Sequence, residues 1–193
     1  DYSSFNFIQS RVSCWDMGGQ EKYRKIYVQN PDIYFSETDY LYFIIDIQDE
    51  LRFTAATDYL RELLGIFREL GYKNDIIIVF HKYDPKYAES KDFEDRAEML
   101  KNLIQTQNKD LSFTFFQTSI YDIASLSRAM SYSLSNLLQL DEIDEILTTL
   151  IQKYDSNYAI LYTNSGLIIS DSYTETMDAR EFDEIISGKI SED

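Results

Sequence analysis

Three short stretches carry residue types that could do chemistry. The first is Asp16-Met17-Gly18-Gly19-Gln20, at the end of a strand-like run. An aspartate there can hold Mg²⁺ directly or through water. A glycine just beyond brings a backbone N–H to a phosphate oxygen with no Cβ in the way, and a neighbouring glutamine can orient an attacking water. The plain alternative is an ordinary glycine turn. The second stretch is His81-Lys82-Tyr83-Asp84-Pro85. Its carboxylate can accept two hydrogen bonds at once, which fits the paired N–H donors on guanine's edge and not adenine's. The lysine stem can lie over a base plane while its ammonium stays wet. His81, the only histidine, reads as a hydrogen-bonded loop residue that positions and does not catalyse. The third is Thr118-Ser119-Ile120, where small residues let the backbone approach a ligand. Its plain alternative is a helix N-cap.

For these stretches to meet, each must leave the same end of one sheet. "FNFIQSRVSCWD" reads as two short strands around Gln9 and Ser10, the second ending at Asp16. Residues 20–36 read as helical, with a break at Pro31. "YLYFIID" (40–46) and "DIIIVF" (75–80) are continuous apolar runs of strand length, the pattern of strands buried on both faces. "FTFFQ" is a third strand. Helical spacing runs through Phe53, Ala56, Leu60, Leu63, Leu64, Phe67 and Leu70, with Gly71 as the stop. A charged helix spans 91–106, and Ile123, Leu126, Met130, Leu134 and Leu137 mark another. Strands alternating with helices imply an α/β fold: a doubly wound, mostly parallel sheet covered on both sides, with ligands beyond the strands' carboxyl ends.

The style changes near Gln139. Ile143, Ile146, Leu147, Leu150, Ile151 and Tyr154 predict an amphipathic helix. "NYAILYTNSGLIISDS" predicts a hairpin turning at Asn164, Ser165 and Gly166. A last helical pattern carries Phe182, Ile185 and Ile186 and stops at Gly188. Helix, hairpin, helix does not extend a parallel sheet. We therefore expect two domains, 1–138 and 139–193, joined with almost no linker.

The 193 residues are 44% apolar, enough for a real core, and carry a formal net charge of −16. That charge argues against a nucleic-acid groove and against an anionic membrane surface. Any phosphate ligand must be held by local geometry against the global field. The single cysteine, Cys14, cannot form an internal disulfide, which suits a reducing cytosol, and a cytoplasmic location is expected. No apolar run reaches the roughly 20 residues of a membrane span, and no signal peptide is visible.

In their order, each on a successive strand end, the three stretches resemble the Ras-like small GTPases. Asp16 to Gln20 matches the Asp-x-Gly-Gly-Gln switch, Lys82-x-Asp84 the guanine motif, and Thr118-Ser119 the final base-contacting loop. The Gly-Gly pair resembles the Arf-like, Gα and Rag branches. His81 in place of the usual asparagine, the stretch "FQTSIYD", the long segment from Gln20 to "YLYFIID", and the C-terminal pattern resemble the Rag type. The resemblance implies a GTP/GDP-binding switch that hydrolyses GTP slowly. It assigns Gln20 to the attacking water, Asp16 to Mg²⁺, and Gly19 to the γ-phosphate. His81, Lys82, Asp84, Thr118, Ser119 and Ile120 would surround the guanine. It also implies a C-terminal roadblock domain, a homo- or heterodimer with another Rag-like GTPase, and roadblock scaffold partners in nutrient or trafficking signalling.

Where the pattern departs, the phosphate loop Gly-x-x-x-x-Gly-Lys-Ser/Thr is not found; Gly188-Lys189 is followed by Ile190 and is a false lead. The resemblance places the first strand, the phosphate loop and the switch threonine upstream of Asp1, and makes the roadblock portion incomplete. Two alternatives stand beside it. One is a non-hydrolysing pseudo-GTPase scaffold; the other is an Arf-like GTPase with an unrelated C-terminal extension.

Overall fold

The computed structural model describes residues 1–7, 10–87, 90–138, 140–163 and 167–178, together with Phe182, Ile185 and Ile186. Three parallel strands, β3 (Leu41–Asp46), β4 (Ile76–His81) and β5 (Phe113–Thr118), form one sheet in the order β3-β4-β5. Before them, β1 (Tyr2–Phe7) and β2 (Ser10–Trp15) make a separate antiparallel pair. The helices that follow β2 are α1 (Glu21–Gln29) and α2 (Pro31–Tyr34), with Pro31 at the first turn of α2 as the break predicts.

Long connections turn parallel strands into a layered structure; α3 (Phe53–Glu69) and α4 (Lys91–Gln107) make them, and α5 (Ile123–Leu138) follows β5. From α3 and α4, Leu60, Leu64, Phe67, Phe93, Leu100 and Ile104 meet Phe43, Ile45, Ile76, Ile78 and Phe80 in one buried cluster. The opposite face is covered by α5. There the Tyr42 hydroxyl donates to the Ala129 carbonyl at 2.8 Å and lies 2.6 Å from Ser133 Oγ. The Tyr132 ring meets Phe116 edge-on at 5.6 Å. Burial pushes the Tyr42 phenol up to about 12.

Among the described strands only β4 is buried on both faces, all of Ile76–Phe80 lying inside. The expectation for "YLYFIID" therefore needs correction: Ile44 in β3 is 64% exposed. A strand flanked on both sides is covered all round, whereas β3 is an edge of the described sheet. The helix spacing on α5 also misjudged its buried face. Ile123, Met130 and Leu137 are exposed, while Ala124, Ser127, Ala129, Ser131, Ser133 and Leu134 are buried. Small side chains there allow neighbouring elements to come close on both sides.

The stop after α3 is as predicted. Gly71 has φ +71°, its N–H donates to the Arg68 carbonyl at 3.1 Å, and the Tyr72 N–H donates to the Phe67 carbonyl at 3.0 Å. That pair of bonds closes a helix end through a left-handed residue that glycine adopts without strain.

C-terminal to α5 lie α6 (Asp141–Tyr154), β6 (Tyr158–Tyr162) and β7 (Ile168–Tyr173), the two strands antiparallel. The predicted turn at Asn164–Gly166 and the stop at Gly188 lie outside the described residues. Phe182, Ile185 and Ile186 are helical, and Phe182 and Ile186 are buried with Ala124 and Ile168. The hairpin packs directly on α5: the Ile168 N–H donates to Ser127 Oγ at 3.2 Å, and the Ser135 hydroxyl to the Ile169 carbonyl at 2.9 Å.

Candidate functional site

The register decides where the site forms. Asp46 pairs with His81, and His81 with Thr118, so the three parallel strands end level. Every loop that leaves this row starts at the same height. The loops are then tied across: the Ile47 N–H donates to the His81 carbonyl at 3.0 Å, and the Tyr83 N–H to the Thr118 carbonyl at 3.0 Å. His81, the last residue of β4, is hydrogen-bonded: its Nδ1 lies 2.9 Å from Thr118 Oγ1.

Lys82 turns the chain with φ 63°, a left-handed conformation that strains a side-chain-bearing residue. Two contacts hold it there. The Gln48 amide donates to the Lys82 carbonyl at 2.8 Å, and the Lys82 ammonium donates to Asp46 Oδ2 at 2.6 Å. The Asp46 carboxylate keeps that ammonium's pKa above its ordinary value. Asp46 Oδ1 also accepts the Gln48 N–H at 3.0 Å, closing the 46–48 turn.

Asp84 follows two residues later and is buried. Its Oδ1 accepts the Ser119 hydroxyl at 2.7 Å, and its Oδ2 accepts the Gln48 amide at 3.0 Å. The Ser119 bond, aided by Gln48, Lys86 and His81, holds the Asp84 carboxyl below the usual carboxylate range and so keeps it ionised. A carboxylate has about four lone-pair sites, so a fixed acceptor pair is still left for a ligand.

Thr118 and Ser119 are both buried, and Ile120 is exposed. Neither Thr118 nor Ser119 caps α5. That role falls to Asp122, whose Oδ1 accepts the Ser125 N–H at 3.2 Å. Ser119 instead accepts the Tyr121 N–H at 3.1 Å while donating to Asp84.

The first stretch forms a loop of its own after β2. Met17 packs on the main core, while Asp16, Gly18, Gly19 and Gln20 are exposed. The two glycines differ. The Gly18 N–H donates to the Tyr27 hydroxyl at 3.2 Å, and a Cβ there would come 3.1 Å from the Tyr23 ring. Nothing lies within 4 Å of a Cβ built on Gly19, so the space beside its Cα is open. Gln20 is the N-cap residue of α1 without a side-chain cap bond. The structure thus gathers His81, Lys82, Asp84, Thr118 and Ser119 into one network. Asp16, Gly19 and Gln20 stand apart from it, with no hydrogen bond to it among the described residues. Arg24 on α1 is half-buried: its guanidinium lies 5.0 Å over the Tyr59 ring, with Nε buried and unpaired among the described residues.

For Mg²⁺, no group of three or more His, Cys, Asp or Glu gathers among the described residues. The exposed Asp16 carboxylate is what the loop offers. A Mg²⁺ that keeps waters and phosphate oxygens asks the protein for only one or two carboxylates, so the residue fits the ion.

A family model described as the Gtr1/RagA G protein conserved region matches residues 3–190. The chain belongs to the Gtr1/RagA G protein family. ADP-ribosylation factor-like protein 1 of Drosophila melanogaster is 32% identical over 130 residues, 67% of this chain and 65% of that protein. The chain thus spans about two thirds of the length of that relative. The Gtr1/RagA match runs through residues 139–190, so the C-terminal segment is part of the family's conserved region and not foreign to it. No helix among the described residues is long and apolar enough to cross a membrane.

Sequence reasoning missed two members of the network in this Gtr1/RagA chain, Asp46 and Gln48. Asp46 was legible as the charged end of an apolar strand, the place where site residues collect. Gln48 carries no such signal; only the level strand ends bring it to Lys82 and Asp84.

Proposed function

We propose that this chain is the nucleotide-binding core of a switch that binds GDP and GTP and hydrolyses GTP slowly. The observation that carries the reading is the Asp84 carboxylate, ionised and clamped between Ser119 and Gln48 at the level ends of β4 and β5. A fixed, charged acceptor pair suits a base edge with two adjacent N–H donors, and guanine has one. Lys82 and His81 frame that edge from β4, and Thr118, Ser119 and Ile120 from β5.

On the loop after β2, exposed Gly19, with open space beside its Cα, would meet a γ-phosphate, and Gln20 beside it would orient the attacking water. Asp16 would hold Mg²⁺ directly or through water; the ion, when bound, neutralises charge on the phosphates. Among the described residues β3 pairs with β4 alone, so its other edge is free to take a further strand of a doubly wound sheet.

Residues 139–193 begin a roadblock-like dimerisation domain that pairs with another Rag-like GTPase and with roadblock scaffolds. Support comes from the second apolar stripe of α6. Leu147 and Ile151 point inward, while Ile146, Leu150 and Tyr154 remain exposed at helical spacing on another side. The protein would act in the cytoplasm, reaching membranes through partners.

Calorimetric titration of the full-length protein with GDP, xanthosine diphosphate and ADP tests the reading. GDP is expected to bind at least about tenfold more tightly than the others, the worth of one hydrogen bond to a charged group. Equal affinity for GDP and ADP would overturn it.

A further inference from the structure

We infer that Gln48 is a specificity-positioning residue: its side-chain amide sets the Asp84 carboxylate in the plane that reads the guanine edge. The inference rests on the guanine reading above. Gln48 belongs to none of the three stretches that carry the family resemblance. It stands on the turn after β3, one strand away from Lys82 and Asp84.

The geometry ties both ends of that amide. Its nitrogen has two hydrogens; one goes to the Lys82 carbonyl at 2.8 Å and the other to Asp84 Oδ2 at 3.0 Å. The backbone N–H of the same residue is fixed by Asp46 Oδ1 at 3.0 Å, and Asp46 Oδ2 takes the Lys82 ammonium at 2.6 Å. Gln48 is therefore held at backbone and side chain, and it passes that order to the carboxylate. Ser119 pins the other oxygen at 2.7 Å. With one donor on each oxygen, rotation of the carboxylate about its Cβ–Cγ bond is blocked. The remaining lone pairs then point in one direction. If Gln48 is removed, the Ser119 bond alone remains and the group can swing about that single anchor. A ligand that needs both oxygens at once suffers most, and one that needs a single oxygen suffers little.

Guanine and hypoxanthine separate these cases. Guanine presents N1–H and the 2-amino N–H, while hypoxanthine presents N1–H alone. The affinity ratio of GDP to inosine diphosphate thus reads how well both oxygens are aimed. A purely structural effect at Gln48 weakens both nucleotides together and leaves the ratio unchanged.

The experiment titrates full-length wild-type protein, Gln48→Leu, Gln48→Glu and Asp84→Asn with both diphosphates. Each ratio comes from a single preparation, so a fraction of unfolded chain does not alter it. In wild type, GDP is expected to bind about tenfold more tightly than inosine diphosphate, one charged hydrogen bond's worth. In Gln48→Leu the ratio should fall toward unity, mostly through loss of GDP affinity. Gln48→Glu, which sets a second carboxylate against Asp84, should lower it at least as far. A wild-type ratio in both Gln48 variants, with a reduced ratio in Asp84→Asn, overturns the role of Gln48 and leaves the guanine reading standing. Wild-type affinities for both nucleotides in Asp84→Asn overturn the guanine reading itself, and this inference with it.

Discussion

Exchanging Asp84 for asparagine places an amide donor against a base edge that also donates. In the full-length protein, Asp84→Asn should weaken GDP binding at least about tenfold and improve the tolerance of xanthine nucleotides, which titration of both ligands measures. The Ser119 hydroxyl adds a pH signature. It holds the Asp84 carboxyl below its ordinary range, so the charged form survives acidification and its contribution to binding is lost only as pH falls through the depressed pKa. Ser119→Ala raises that pKa, and the acid loss of GDP affinity should then begin at a higher pH, nearer the unperturbed aspartate value of about 4. A GDP-affinity profile over the acid range, recorded for both proteins, decides it. At Gln20 the expectation concerns rate alone. Its exposed side chain makes no cap bond, so Gln20→Leu removes no contact that holds the fold. Single-turnover hydrolysis should slow while GTP affinity stays near the wild type, because orienting water matters only on the way to the transition state.

At the scale of elements, the close of α3 makes a sharp case. Gly71 is left-handed with open space around its missing Cβ, so alanine there meets backbone strain and no steric clash. Gly71→Ala should cost about 1–2 kcal/mol, from the left-handed penalty for a residue with a Cβ. Thermal unfolding followed by circular dichroism should show a fall of a few degrees, roughly 2–8 °C for a chain of this size. Apolar residues at helical spacing located α3, and a continuous apolar run located β4; α4 was legible as a charged helical stretch. The pattern failed on faces. β3 looked like β4 in composition, yet Ile44 lies open because the described sheet ends there. On α5 several serines and alanines are buried along with Leu134, while Ile123, Met130 and Leu137 of the helical spacing stay exposed. Apolar content reports how much a segment tends to be buried; neighbours decide which side.

For the whole molecule, the contact between α5 and the C-terminal hairpin has a consequence for truncation. Ala124, Ser127 and Ser135 on α5 meet β7 and Phe182. Ending the chain at Leu138 would strip that cover and leave the Ser127 and Ser135 hydroxyls without their backbone partners. The truncated protein should therefore melt lower than the full-length form while still binding nucleotide, since Asp46, Gln48, Lys82, Asp84 and Ser119 all precede the cut. It should also lose dimerisation, which light scattering of both forms with and without a partner GTPase measures. A truncated protein that still dimerises would place the interface on the nucleotide-binding part.

The types of chemistry were written in the chain: Asp16, Gly19 and Gln20 on one loop, Lys82 and Asp84 on another, Thr118 and Ser119 on a third. Local sequence also determined the strand–helix alternation and the stop at Gly71, because periodicity and left-handed turns depend on residues a few positions apart. Tertiary structure decided which of these residues meet. The shared level of Asp46, His81 and Thr118 follows from the pairing register of strands more than 30 positions apart. Gln48 reached the site by that register, as did the Asp46–Lys82 ion pair. Arg24 became half-buried because Tyr59, 35 positions away, lies beneath it. Hydrogen bonds between side chains distant in the chain leave no periodic trace along it. They arise only when parallel strands align their ends and bring the loops beyond them within about 3 Å.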